Sequence, residues 1–127
     1  MISAPRILIV EDEAVASMLL KKQLERLGYV VGGTAARGDE AIDCARHQDF
    51  DLVLMDIRLA GEMDGIQAAQ GIRMIKKIPV IFLTGYQDED ILARALTVNP
   101  AAYLVKPVKT EQLAASIASV VGRSVGN

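Results

Sequence analysis

The chain has 127 residues, with 14 Lys and Arg against 16 Asp and Glu, and a net charge of −2. That balance excludes the general attraction to nucleic acid or anionic lipid of a strongly basic chain. Aromatics are scarce at 4% and no basic stripe is evident, which also counts against direct nucleic-acid binding. Half of the residues are apolar (51%), so one globular domain with one sizeable core is expected.

The single cysteine, Cys44, cannot close an internal disulfide, which fits a reducing compartment. Met1 to Arg6 lacks the charged head and apolar run of a signal peptide. No apolar stretch approaches the roughly 20 residues of a membrane helix. A cytoplasmic domain without a membrane partner is the expectation.

Short apolar runs alternate with segments of helical period. Ile7–Val10 reads as a buried strand. Ala14–Leu27 reads as a helix with Leu20, Leu24 and Leu27 on one face, stopped by Gly28. Tyr29–Gly33 is a weaker strand, and Asp39–His47 a short helix with Ala41, Ile42 and Ala45 inward. Leu52–Met55 is a second strong strand. Gly65–Ile75 is helical, with Ile66, Ala69, Ile72 and Ile75 facing the core.

Val80–Leu83 follows Pro79, which is tolerated at a strand start. Asp88 can cap the next helix, whose inward residues are Ile91, Leu92, Ala95 and Leu96, and Asn99-Pro100 ends it. Ala102–Val105 is the last strand. Thr110 caps a final helix carrying Leu113, Ile117 and Val120 or Val121, and the tail from Gly122 to Asn127 is expected to fray. Five strand–helix units with short connections imply an α/β fold with a mostly parallel sheet and helices on both faces.

In such sheets, ligands sit beyond the carboxyl ends of the strands. Glu11, Asp12 and Glu13 follow the first strand and Asp56 the third; Thr84 follows the fourth and Lys106-Pro107 the fifth. The second strand delivers only Gly32-Gly33. Glu11, Asp12 and Asp56 would repel one another in one cleft. A hard divalent cation with oxygen ligands, Mg²⁺ first, offsets that. The absence of Cys and His from the cluster argues against zinc. Lys106 offers a fixed positive charge and Thr84 a hydroxyl, a set suited to phosphoryl transfer with Asp56 as nucleophile.

The segments ILIVEDE, DLVLMDIRLAGEMDG, IPVIFLTG and AAYLVKP, in this order and spacing, resemble the response-regulator receiver family over nearly the whole chain. The resemblance implies a flavodoxin-like five-stranded parallel sheet of order 2-1-3-4-5. It also implies one receiver domain over 1–127, with an ordered core of about 5–122. Asp56 would be the phosphoacceptor and a metal ligand, with Asp12 binding Mg²⁺ directly and Glu11 through water. The backbone carbonyl of Arg58 would complete the metal ligands. Thr84 and Lys106 would contact the phosphoryl group, and Tyr103 would be the aromatic switch moving with Thr84. The Lys106-Pro107 bond would be cis.

The implied partners are a histidine kinase or histidine phosphotransfer protein and an output protein or domain. The output would be read on the fourth helix, fifth strand and fifth helix. Arg58 and Tyr86, two beyond the phosphoacceptor and two beyond Thr84, would border the approach of hydrolytic water. The loop after Asp56 departs from the family: the usual Met-Pro is missing and one residue is added.

Blander readings exist for each feature. An acidic run is an ordinary solvated helix start, Tyr103 an ordinary core residue, and Lys106 a surface lysine in a turn. His47 is read as surface and Cys44 as a small packing residue. The glycines form no nucleotide-binding loop. An aspartyl-nucleophile phosphatase would place a second Asp where this chain has Arg58. A pseudo-receiver would not keep Glu11, Asp12, Asp56, Thr84 and Lys106 together. The expectation is therefore a signalling module and not a separate turnover enzyme.

Overall fold

Buried β-branched and leucine runs become the strands, and the amphipathic segments between them become the helices. The computed structural model describes residues 4–85 and 88–122. In chain order the elements are β1 (Arg6–Val10), α1 (Ala14–Arg26), β2 (Val30–Ala35), α2 (Gly38–His47) and β3 (Leu52–Asp56). They continue with α3 (Gly65–Arg73), β4 (Val80–Thr84), α4 (Glu89–Leu96), β5 (Ala102–Val105) and α5 (Thr110–Ile117), which runs on into a π-helical turn, Ala118–Gly122. The strands form one sheet in the order β2-β1-β3-β4-β5, with every neighbouring pair parallel. This is the expected flavodoxin-like α/β order.

Alternation along the central strands feeds two cores. Leu8, Val10, Val53, Met55 and Phe82 face α2, α3 and α4, meeting Ala41, Ala45, Ile66, Ile72 and Ala95. Ile7, Ile9, Leu52, Leu54, Ile81 and Leu83 face α1 and α5, meeting Leu20, Leu24, Leu113 and Ile117. Each fully buried Leu, Ile or Phe contributes on the order of 1.5–3 kcal/mol. The two layers hold the sheet rigid and leave its carboxyl edge to carry polar groups.

Stop signals behave as their chemistry requires. Gly28 ends α1 at φ 93° and Asn99 follows α4 at φ 53°, both in the left-handed region. Asp88 caps α4 by accepting from the N–H groups of Asp90 and Ile91. The Lys106-Pro107 bond is cis, as the resemblance implied. His47 is exposed and Cys44 packs part-buried against the larger core, as expected.

Several expectations are corrected. Four apolar residues read as inward are substantially exposed: Leu27 (36%), Ile75 (37%), Leu92 (37%) and Leu96 (58%). Leu27 and Ile75 lie beyond the last turns of α1 and α3, so the helical period no longer aims them at the sheet. The eight-residue α4 buries only Ala95 fully, with Ile91 partly buried beside it. Strand β2 runs to Ala35, because pairing with β1 overrides the poor strand propensity of Gly32-Gly33. The register slips between Ile7 and Leu8, where a Cβ on Gly32 would meet the Arg6 guanidinium at 2.7 Å. Lys109, not Thr110, is the N-cap of α5; the Thr110 hydroxyl accepts instead from Gln23 Nε2. The tail after Gly122, expected to fray, lies outside the described residues.

Candidate functional site

Strand register determines what meets at the sheet edge. Asp56 pairs with Leu83, so the end of β3 lies beside Thr84, the last residue of β4. Thr84 pairs with Val105, which brings Lys106 next to it, and the Lys106 N–H donates to the Thr84 carbonyl at 2.7 Å. On the other side Val10 pairs with Met55, which brings Glu11 and Asp12 to the same edge. One ligand oxygen each from Glu11, Asp12 and Asp56 lie within 4.8 Å of one another.

Glu11, Asp56 and Thr84 are the buried polar side chains here, while Asp12 faces solvent. Lys106 Nζ donates to Glu11 Oε1 and to Asp56 Oδ2, each at 2.6 Å. Glu11 Oε2 accepts from the Glu13 N–H at 3.2 Å, and Asp56 Oδ1 from the Arg58 N–H at 3.2 Å. Among the described residues no buried side-chain nitrogen or oxygen lacks a hydrogen-bond partner. Burial opposes the charge on Lys106. The hydrogen bonds and negative charges of Asp56 and Glu11 outweigh it, holding the ammonium above its ordinary range. Three carboxylates and one ammonium leave an excess of negative charge. An all-oxygen donor set with that excess fits a hard divalent cation.

A cleft of about 350 Å³ opens over these groups, lined by Asp12, Asp56, Arg58, Thr84 and Lys106 among others. Asp56 lies at its floor, only 6% exposed. Arg58 is exposed at the rim. Tyr103 is not part of this lining. From β5 it pairs with Phe82 of β4, one alternation before the Thr84–Val105 pair, and so shares a sheet face with Thr84. Its ring is part-buried against the larger core. Tyr86 lies outside the described residues.

A family model for the response regulator receiver domain matches residues 7–118. This chain belongs to that family. The receiver is 38% identical over 118 residues to the transcriptional regulatory protein PdtaR of Mycobacterium tuberculosis, covering 93% of this chain and 57% of that protein. It is 37% identical over 112 residues to the transcriptional regulatory protein ZraR of Escherichia coli, covering 87% of this chain and 25% of that protein. The receiver thus spans little more than half, or only a quarter, of the length of these relatives. Among solved structures, it resembles the signal receiver domain of a modulated diguanylate cyclase from Desulfovibrio desulfuricans, with a TM-score of 0.89 and 39% identity over 98% of this chain and all of that one. It also resembles the receiver domain of a sensor histidine kinase from Pseudomonas aeruginosa, with a TM-score of 0.85 and 32% identity over 94% and 99% of the two chains. That structure holds a magnesium ion coordinated in its active-site cleft.

Two contributors escaped the reading of the sequence. Glu13 was assigned no role, yet its N–H braces Glu11. No local signal marks it, because the contact to the N–H two residues on is a habit of Asn and Asp and the acceptor here is a glutamate. The loop after Asp56 is braced from two sides. Ala60 bridges to Arg37 on one side, and Asp64 pairs with Arg94 at 2.9 Å on the other. Nothing local in the sequence marks either contact.

Proposed function

We propose that this receiver accepts a phosphoryl group onto Asp56 from a phosphohistidine, presented by a histidine kinase or histidine phosphotransfer protein, with Mg²⁺ bound. The observation that carries the reading is Lys106 bridging Asp56 and Glu11 at 2.6 Å inside a three-carboxylate cluster. Glu11, Asp12, Asp56 and the backbone carbonyl of Arg58 would hold the ion. It would supply charge neutralisation for the carboxylates and the incoming phosphoryl oxygens.

The chain's own groups do the rest. A carboxylate oxygen of Asp56 forms the new bond to phosphorus as the bond to the donor imidazole breaks, the electron pair staying on that nitrogen. The Arg58 N–H orients the acceptor carboxylate. Lys106 exchanges a carboxylate contact for a phosphoryl oxygen, and the Thr84 hydroxyl donates to another. Thr84 and Tyr103 share a sheet face, which supports a coupled movement of the two toward the surface of α4, β5 and α5. An output protein or domain reads that surface. The chemistry is confined to the receiver's own gain and loss of phosphoryl, with no separate substrate turned over. A cytoplasmic setting accompanies this reading; among the described residues, no helix is long and apolar enough to cross a membrane.

The test is transfer from a radiolabelled, phosphorylated histidine kinase core. Label should move to this chain only with Mg²⁺ present and should be released by hydroxylamine, as an acyl phosphate is. Label that is transferred without a divalent ion, or that resists hydroxylamine, contradicts the proposal.

A further inference from the structure

The residues that follow β2 and β3 meet beyond the carboxyl edge of the sheet. Strand β1 lies between those two strands and ends at Val10, where the Glu11 N–H donates to the Ala35 carbonyl at 2.9 Å. Past that point Arg37, with extended backbone at φ −130° and ψ 154°, joins Ala60 of the loop after β3 in an isolated parallel bridge. The bridge crosses the line of β1 just beyond Glu11 and Asp12.

The Arg37 side chain reinforces it. The guanidinium lies over Gly61, where a Cβ would meet Cζ, Nη2 and Nη1 at 3.1, 3.2 and 3.3 Å. Gly61 sits at φ 89°, a backbone conformation natural to glycine, and has no side chain to hold the guanidinium off. Asp39 orients the guanidinium: its Oδ1 accepts from Arg37 Nε at 3.1 Å and from the Glu40 N–H at 3.0 Å. Glu40 Oε1 in turn accepts from the Ala36 and Arg37 N–H groups, each at 3.1 Å. The start of α2 is thus the anchor and the loop is what it grips. The loop is pinned again where the Arg58 N–H donates to Asp56 Oδ1 at 3.2 Å. Arg58 therefore stands between two fixed points, Asp56 and Ala60. The Arg37 and Asp39 side chains are 50% and 62% exposed, so their ion pair adds little to overall stability. What it fixes is the direction of the guanidinium.

We propose that Arg37 is a positioning residue for the metal site: its guanidinium, packed over Gly61, holds the loop that carries the Arg58 carbonyl at the carboxylate edge. The metal part rests on the reading of that carbonyl as a Mg²⁺ ligand; the brace itself does not. A group bonded directly to a metal ligand typically changes metal affinity by about ten- to a hundredfold. Arg37 acts through the intervening backbone, so a smaller loss, about three- to tenfold, is expected on its removal.

Two measurements on the full chain separate the brace from its effect on the metal. Without metal, the backbone amide order parameters of Ala60 and Gly61 should stand near the rigid value of about 0.85 in wild type and fall toward about 0.6 in Arg37→Ala. Calorimetric titration with Mg²⁺ should then show the expected loss of affinity in Arg37→Ala. Arg37→Lys keeps the charge but neither the flat guanidinium nor the Nε donor, so its affinity should fall as well. Both variants should unfold in urea close to wild type when metal-free, because the ion pair is exposed. Unchanged order parameters in Arg37→Ala overturn the brace. Wild-type Mg²⁺ affinity in Arg37→Ala or in Arg37→Lys overturns the positioning role, and so does a large loss of metal-free stability, which would make Arg37 a residue of folding. If the wild-type chain binds no Mg²⁺, the metal reading fails and the positioning role with it, while the order parameters still decide the brace.

Discussion

A Cβ placed on Gly65 would come within 2.1 Å of the Asp56 carbonyl oxygen. The other close atoms are the Asp56 carbonyl carbon and the Ile57 Cα, both at 2.9 Å and both backbone. Neither can swing aside. Gly65→Ala should therefore push α3 away from β3 and cost about 1–3 kcal/mol. Gly38 is the control: its Cβ would meet the flexible Met63 side chain at 2.7 Å, so Gly38→Ala should cost less. Urea unfolding of the two variants checks the order, and equal stability would contradict it.

Metal affinity should separate Asp12 from Glu11. Glu11 is buried and already engaged by Lys106 and by the Glu13 N–H, whereas Asp12 faces solvent. Asp12→Ala should weaken Mg²⁺ binding more than Glu11→Ala. Asp12→Ala should gain stability without metal, since a repelling carboxylate is gone, whereas Glu11→Ala loses the buried contact to Lys106 and should not. Calorimetric titration with Mg²⁺ decides it, and wild-type affinity in Asp12→Ala is the contrary result.

The edge chemistry was legible because the parallel sheet delivers strand ends to one place. Glu11, Asp12, Asp56, Thr84 and Lys106 are each the last residue of a strand or within two residues of its end, so strand assignment alone gathered them. Sheet order came from family resemblance, as no local pattern encodes which strands become neighbours. The exposure of Leu92 and Leu96 was not legible, because their spacing matches that of a buried stripe and only the shallow seat of α4 distinguishes them. The Arg94–Asp64 pair spans thirty residues between exposed charges, which helical period cannot reveal. Thr110 lost the cap position because its hydroxyl meets Gln23 of α1, a tertiary contact.

Cys44 provides a pH-dependent readout. Burial, with smaller contributions from the charges of Asp43 and Glu40, raises its thiol pKa above the ordinary value of 9.0. The unfolded chain then loses this proton first as pH climbs. The stabilisation linked to Cys44 should be complete below about pH 9 and lost as pH rises through the folded-state pKa. It is the chain's one thiol. Alkylation by iodoacetamide near pH 9 should be slower in the folded chain than in urea. Equal rates would mean that the thiol is not shielded.

Arg58 lies at the rim of the cleft above Asp56. Its guanidinium can donate toward a phosphoryl oxygen and shade the approach of water. Arg58→Ala should lose phosphoryl faster, with Mg²⁺ affinity little changed. About 1.4 kcal/mol at the transition state suffices for a tenfold effect. Decay of the labelled protein after donor removal measures it, and an unchanged lifetime would remove Arg58 from the account. Tyr86, the other residue read as shading the site, lies outside the described residues.

The most direct measurement is intact-protein mass after incubation with a small phosphodonor, on wild type and Asp56→Asn, with Mg²⁺ and with chelator. The wild-type chain should gain one phosphoryl group when Mg²⁺ is present and none with chelator. Asp56→Asn should gain none in either condition, and fragmentation of the wild-type product should put the group on Asp56. A phosphoryl group stably carried by Asp56→Asn, on a serine or on His47, would contradict the assignment of Asp56 as the acceptor.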